Sequence, residues 1–466
     1  MTRPANLPDF VARAETGVAT AASTMRFSQT RARRVMRRFS VSETAMFLGF
    51  SRKVIHDWLS HPQAPVAEKT RSGALTLSLD DIFLLRGLMQ NRAHGTRSKG
   101  RRDTLHWRRP GDPIPIITTG SQKGGTSKSL TAAHLAQHAS LFYGMRVGII
   151  DADPQSTISL YFAGDETAIA GLDVGTFTRF MGVGAPGEKP LEHAAETLDK
   201  FWLKTPWPGI RLMPGGAPIQ EAEIAMYFMS QGQNPAYRRV YRLLHDALER
   251  WQAAFPGITQ TQDLIDRDGS FKPDNFREAM SETLDLIVID SAPSLTLSQL
   301  NTVVAASTLI IPNTMRGFDL STARIYLSSL DDYLRFIRTE PDPITFPNRP
   351  SYILPTIVST ASDADIRQVG ELWQHDPDVI CPVFYARSEA VANASRDYQS
   401  IYEYTPPPGR RRSTSDFIDN ANAVSEAILT RAIPGLPARG FANAFIEKNF
   451  PPGTVPPWTD PEEEQA

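Results

Sequence analysis

Two lysines, two glycines and three hydroxyl side chains occupy seven consecutive residues, Lys123-Gly124-Gly125-Thr126-Ser127-Lys128-Ser129. An apolar run, Ile116-Ile117, leads into them, and a helix-forming run, Ser129–Tyr143, leads out. A glycine loop between a strand and a helix can wrap phosphate oxygens in backbone N–H groups, and the helix start adds its positive end. Lys128 would reach the β- and γ-phosphates, and the Ser129 hydroxyl would face Mg2+. The common form of such loops is G-x-x-x-x-G-K-[ST]. Here Gln122 and Ser127 stand at its two glycine positions, and a second lysine, Lys123, precedes the glycine pair.

Two carboxylate motifs follow. Arg146-Val-Gly-Ile-Ile-Asp151-Ala-Asp153-Pro154-Gln155 reads as a buried strand ending in two acids. At the C-terminal edge of a sheet, Asp151 and Asp153 would lie beside the phosphate loop and orient a metal ion or the attacking water. Asp285-Leu-Ile-Val-Ile-Asp290-Ser-Ala-Pro293 delivers Asp290 to the same edge, where it can hold Mg2+. No N-K-x-D or T-K-x-D segment for guanine is present, which favours ATP.

The elements that must position these groups are legible as alternating strands and helices. The runs PIPIITTG, RVGIIDAD, LDLIVIDS, STLIIPN and PSYILPTIVS are short and apolar, and helical stretches separate them. That grammar predicts an α/β fold with a mostly parallel sheet flanked by helices. Residues 160–280 read as a long, mostly helical excursion.

Upstream, the chemistry is different. Residues 1–110 carry 20 Lys and Arg against 8 Asp and Glu, on a chain of net charge −2. A basic front on an acidic body suggests a nucleic-acid-facing module. Ser42 is a plausible cap for one helix, with Ala45, Met46 and Leu48 on its apolar face. Gly49 breaks the run, and Ser51 can cap a second helix through Leu59. This is the spacing of a helix-turn-helix. Lys69–Leu77 resembles a small wing, and Asp80–Arg92 reads as an amphipathic helix. Arg52, Lys53 and His56 would face a major groove, with Arg71 on the wing reaching an adjacent groove. The Arg31–Arg38 cluster would add sequence-blind attraction.

The expected domains are an arm or dimerisation helix at 1–34 and a winged helix-turn-helix at 35–92. A basic linker at 93–112 leads to a P-loop ATPase domain at 113–433, and a Pro-rich acidic tail fills 434–466. A single cysteine, Cys381, excludes a disulfide framework and fits a reducing cytosol. No secretory leader and no stretch long enough for a bilayer is apparent, so a cytoplasmic protein is expected.

The loop K-G-G-T-S-K-S, followed by D-A-D-P-Q and D-S-A-P, resembles the deviant Walker A loop of the ParA/MinD family of ATPases. The front module resembles the winged helix-turn-helix of larger plasmid-type ParA proteins and of RepA of the repABC type. The resemblance covers roughly residues 35–430. It implies a homodimer that sandwiches ATP and Mg2+, with Lys123 crossing to the partner's phosphates and Asp153 placing the hydrolytic water. It also implies nonspecific DNA binding on the nucleoid, a ParB-like centromere-binding partner that stimulates weak hydrolysis, and autoregulation at operator DNA. Thr356 and Arg387 fall where the family contacts adenine or its ribose, although Ala386 replaces the family's proline.

Three other classes are weighed. A DNA-binding repressor that senses ATP with little hydrolysis is the alternative, and Asp153 argues against it. A membrane-positioning ATPase needs a basic amphipathic C-terminal helix, which FPPGTVPPWTDPEEEQA does not supply. Iron proteins of the nitrogenase type need two bridging cysteines per subunit.

Overall fold

The computed structural model describes residues 36–93, 103–162, 177–232 apart from Gly187, 238–257, 270–340, 350–396 and 399–451. It also describes Leu264, Ile344, and residues 11–14 and 16, which are helical. Most of the expected arm, Arg31, Arg33 and Arg34 of the basic cluster, residues 94–102 and the acidic end of the tail lie outside these. Residues 1–37 form one unit and residues 38–466 another.

The second unit begins with a small three-stranded antiparallel sheet and three helices. Strand β1 (Phe39–Ser40) leads into α1 (Val41–Leu48), and α2 (Arg52–Leu59) follows. The strands β2 (Glu68–Lys69) and β3 (Leu75–Leu77) pair antiparallel around a turn at Gly73, forming the wing. Helix α3 (Leu79–Ala93) closes the module. The cap of α1 is Ser40 rather than Ser42: its hydroxyl accepts from the Glu43 amide while the Glu43 carboxylate accepts from the Ser40 amide. This reciprocal pair satisfies two orphan helix-start donors. Gly49 ends α1 at φ 74°, a conformation that favours glycine. Ser51 caps α2 as expected.

Helix α3 differs from its sequence reading. Instead of an amphipathic helix with a wet face, it is buried on every side from Ile82 to Gln90. One face packs in the head. Another packs with Phe271, Phe276 and Met280 of the body. Gly87 permits that approach, since a Cβ there would lie 2.8 Å from the Phe276 ring. A helix covered on all sides shows no solvent stripe.

The body is a seven-stranded sheet in the order β10-β9-β4-β8-β5-β7-β6. Its strands are β4 (Ile116–Thr119), β5 (Val147–Ala152), β6 (Leu203–Lys204), β7 (Ile210–Met213), β8 (Leu286–Ser291), β9 (Thr308–Asn313) and β10 (Tyr352–Pro355). All neighbours are parallel except β6, which is antiparallel to β7. The excursion at 160–280 therefore contributes two strands as well as helices. They are short, and a Trp207-Pro-Gly209 turn separates them, so neither stands out as a strand-length run.

Helix α4 (Lys128–Tyr143) lies in the core and is buried from Thr131 to Tyr143. The described part of the expected linker is anchored rather than free. Arg108 is buried and donates to the carbonyls of Leu284, Asp112 and Phe255. Residues 434–451 likewise contain a helix, Phe441–Asn449, packed on the helix Arg411–Ala432. Among the described residues no helix is long and apolar enough to cross a membrane.

A fully buried ion pair joins the starts of two central strands. The Arg146 guanidinium donates to both oxygens of Asp285, at 2.8 and 2.7 Å, and stacks 4.2 Å from the Trp107 ring. The Asp285 oxygens also accept from the amides of Arg108 and Arg146. Breaking such a pair strands a buried charge. Asp285→Ala should lower the unfolding free energy by about 3–5 kcal/mol, measured as a lower urea midpoint at unchanged slope.

Candidate functional site

The loop from Gly120 to Ser127 rises from the C-terminal end of β4, at the centre of the sheet. Its opening is bare. A Cβ built on Gly124 or Gly125 would meet nothing within 4 Å. Gly125 has φ 74° and Ser127 has φ 73°. Position 127 is therefore a left-handed site where the common loop carries glycine, and the serine side chain makes no capping hydrogen bond in return. A left-handed non-glycine residue costs about 1–2 kcal/mol.

Strain is concentrated at this edge. Among the described residues four non-glycine residues have positive φ: Ser127, Ser156, Met315 and Ile357. Each lies in the segment that leaves one of four strands, β4, β5, β9 and β10 respectively. A β-branched isoleucine at φ 57° is an outlier on steric grounds. Strained backbone held at one sheet edge marks a functional site without any reference to motifs.

The sequence-identified groups converge there. Lys128 is buried, and its ammonium donates to the Lys123 carbonyl at 3.0 Å. Burial lowers its pKa, and Asp290 and Asp153 partly offset that. Asp151 and Asp290 face each other as register partners on β5 and β8. Burial pushes both carboxyls up, Asp151 to about 7; the charge of Asp153 adds to the rise at Asp151, and that of Asp151 to the rise at Asp290. The Ser129 hydroxyl lies beside Asp290 and partly offsets its rise, and the Asp290 Oδ2 is buried with no partner among the described residues. That orphaned oxygen beside a serine hydroxyl fits a hard, oxygen-seeking cation such as Mg2+.

Asp151 fits the metal expectation less well. Its Oδ1 accepts from the Asp153 amide at 3.1 Å, and its Oδ2 accepts from the amide and hydroxyl of Ser159 at 3.0 and 2.6 Å. Both oxygens already accept hydrogen bonds that hold the strand end. Asp153 lies one step further out and accepts from the Gln155 amide at 2.8 Å. Gly215 is pressed against this turn, where a Cβ would come 2.6 Å from the Asp153 carbonyl.

Thr356 lies under the loop. It is fully buried, and its hydroxyl donates to the Thr126 carbonyl at 3.2 Å. It supports the loop from below. Arg387 is exposed, and its amide donates to the Val358 carbonyl next to Ile357. It remains a candidate for the base or ribose.

Lys123 is half-exposed at the loop tip and ion-paired to Asp319, which also accepts from the Thr314 hydroxyl. These contacts hold the Asp319 carboxyl below its ordinary pKa. Sequence reasoning missed Asp319, Thr314, Ser159 and Gly215. The available signal was position: Thr314 and Asp319 follow the end of β9 in NTMRGFD, at the catalytic edge.

In the head, Arg52, Lys53 and His56 are exposed on α2 while Ile55 is buried, and Arg71 is exposed on the wing. Of the other basic groups, Arg410–Arg412 are exposed before and at the start of the helix Arg411–Ala432.

A glycine loop over a parallel sheet, with paired acids on adjoining strand ends, defines a P-loop nucleotide-binding domain. The family model for the CobQ/CobB/MinD/ParA nucleotide-binding domain matches residues 117–375. The chain belongs to this family, in its ParA/MinD class of partition ATPases. A protein named replication protein A from Sinorhizobium fredii is 24% identical over 404 residues, 85% of this chain and 86% of that one. SopA of Escherichia coli K12 is 25% identical over 322 residues, 65% of this chain and 66% of its own. The chromosome partitioning protein ParA of Caulobacter vibrioides is 29% identical over 203 residues, 43% and 56% of the two chains.

Replacing Ser127 by glycine removes the left-handed strain but loosens the unfolded chain. Ser127→Gly should therefore raise the unfolding free energy by up to about 1 kcal/mol and keep ATP affinity. Ser127→Val should lower both, in denaturant titration and in calorimetric ATP binding.

Proposed function

We propose that this protein hydrolyses ATP to partition DNA, closing two copies of the chain across their phosphate loops. The observation that carries this reading is the placement of Lys123. Its side chain is 46% exposed at the loop tip and lies sideways on Asp319. A lysine so placed can exchange its carboxylate for the phosphates of a facing copy. Lys128, buried beneath the loop, serves the nucleotide of its own chain.

In this reading the loop amides of Lys123–Ser129 bind the phosphates, and Asp153 orients the attacking water. Ser129 and Asp290 hold Mg2+, which offsets charge on the transferred phosphoryl group when bound. The closed dimer binds DNA without sequence preference, and Arg410–Arg412 offer exposed cations for it. A ParB-like centromere-binding partner stimulates a weak basal hydrolysis. The head, through Arg52, Lys53, His56 and Arg71, reads operator DNA and represses the chain's own operon. The expected setting is the cytoplasm, on the nucleoid. An ATP-sensing repressor with little hydrolysis is the second reading; Asp153 at the site speaks for turnover.

Turnover measurements with DNA and a candidate partner separate the two. Lys128→Ala should abolish ATP-dependent dimerisation. Asp153→Ala should still bind ATP and dimerise, with hydrolysis reduced by about 100-fold or more. Normal hydrolysis in both variants would rule out the site assignment. For the head, Arg52→Ala and Lys53→Ala should weaken operator binding, and each phosphate contact removed should reduce the salt slope by about 1. Filter binding across a salt series reads that slope.

A further inference from the structure

Arg86 is the largest buried cation of the head, at 0% exposure in the middle of α3. Its guanidinium donates to four carbonyls from three segments. These are Leu141 and Phe142 at the end of α4, the latter at 3.5 Å; Phe47 at the end of α1, at 3.4 Å; and Thr104, at 2.6 Å. Among the described residues no carboxylate bonds it. Burial, and then the charge of Arg439, lowers its pKa to about 9. Arg439 donates to the same Phe142 carbonyl at 2.6 Å, and its guanidinium lies against Gly49. The left-handed Gly144 that ends α4 lies against the Arg86 stem, where a Cβ would fall 2.6 Å from its Cδ.

A buried cation with no counter-ion costs several kcal/mol of desolvation. An apolar residue would fill this space without that cost. What the guanidinium alone supplies is simultaneous, directional bonding to the last carbonyls of two helices, which have no partners inside their own helices. It ties the end of α1, in the head, to the end of α4, in the body. The Phe47 and Phe142 rings, 5.3 Å apart and edge to face, pack at the same joint. The other end of α4 is the phosphate site. Sixteen residues span about 24 Å, and a helix buried along its length moves as a unit.

We propose that Arg86 is a positioning residue that couples the phosphate site to the DNA-binding head. A shift of α4 when nucleotide fills the loop is handed through Arg86 to α1, and through the α1–α2 packing to the groove-facing residues of α2. The inference rests on the reading above, in which the loop binds ATP and the head binds operator DNA.

The test uses the full-length chain and a duplex selected from randomised DNA by that chain, with excess nonspecific competitor. DNA affinity is measured without nucleotide, with ADP and with a slowly hydrolysed ATP analogue. The wild type should show a nucleotide-dependent change of about 5- to 150-fold. Arg86→Met should bind the analogue with wild-type affinity while that change falls below about 3-fold, and Arg86→Lys should restore part of it. A folded Arg86→Met protein that keeps the full change would overturn the proposal. Hydrogen exchange on the wild type gives a second reading that no folding defect can obscure. Nucleotide should alter protection at 126–131, 139–144 and 45–50 together, and a response confined to 126–131 would also overturn it. A wild type that selects DNA and binds ATP, but whose two affinities are independent, removes the coupling and leaves the functional reading standing. A wild type that does neither removes both.

Discussion

Unpaired backbone groups at the two ends of one buried helix organise this molecule. The amides at the start of α4 point into the phosphate loop, where an anion is the natural partner. The carbonyls at its end cannot reach water and are met by two arginines drawn from opposite ends of the chain, Arg86 and Arg439. A helix can be sunk in a core only if both sets of groups find partners. Here one set is left for a ligand and the other is closed permanently by protein. The head, the sheet and the C-terminal helices all meet around that rod.

The ion pair of Arg146 and Asp285 does comparable work at the opposite edge of the sheet. It fixes the starts of β5 and β8, so that their ends present Asp151 and Asp290 side by side. Burial and neighbouring acids raise both carboxyls, and the site is short of positive charge. Lys128 supplies some. The left-handed residues Ser127, Ser156, Met315 and Ile357 add conformational strain to the same edge. The bottom of the sheet holds the fold in place, and the top holds the tension that chemistry requires.

Much of this is legible in the sequence because buried parallel strands are short, unbroken apolar runs. PIPIITTG, RVGIIDAD and LIVID each end where an acid or the loop begins, so strand and site announce each other. The features that escape reading are those set by packing across long sequence distances. Helix α3 is apolar on all faces because it serves two cores at once, and no local periodicity separates that from a surface helix carrying Arg86. The strands β6 and β7 are too short to stand out. Arg108 sits in a basic, non-periodic stretch and looks like linker until the carbonyls of Leu284 and Phe255 are seen around it. Asp319 becomes visible only when β9 is laid beside β4, which brings residues 196 positions apart into contact.

Cys381, the chain's single thiol, is fully buried, and burial pushes its pKa up to about 12. A thiol that is neither exposed nor ionised reacts slowly with maleimides and iodoacetamides. The molecule is therefore a natural host for a pair of engineered surface cysteines. A fluorophore on the wing and another on the helix Gly317–Arg338 could be installed without first removing the native sulfur, and the distance between them followed in real time.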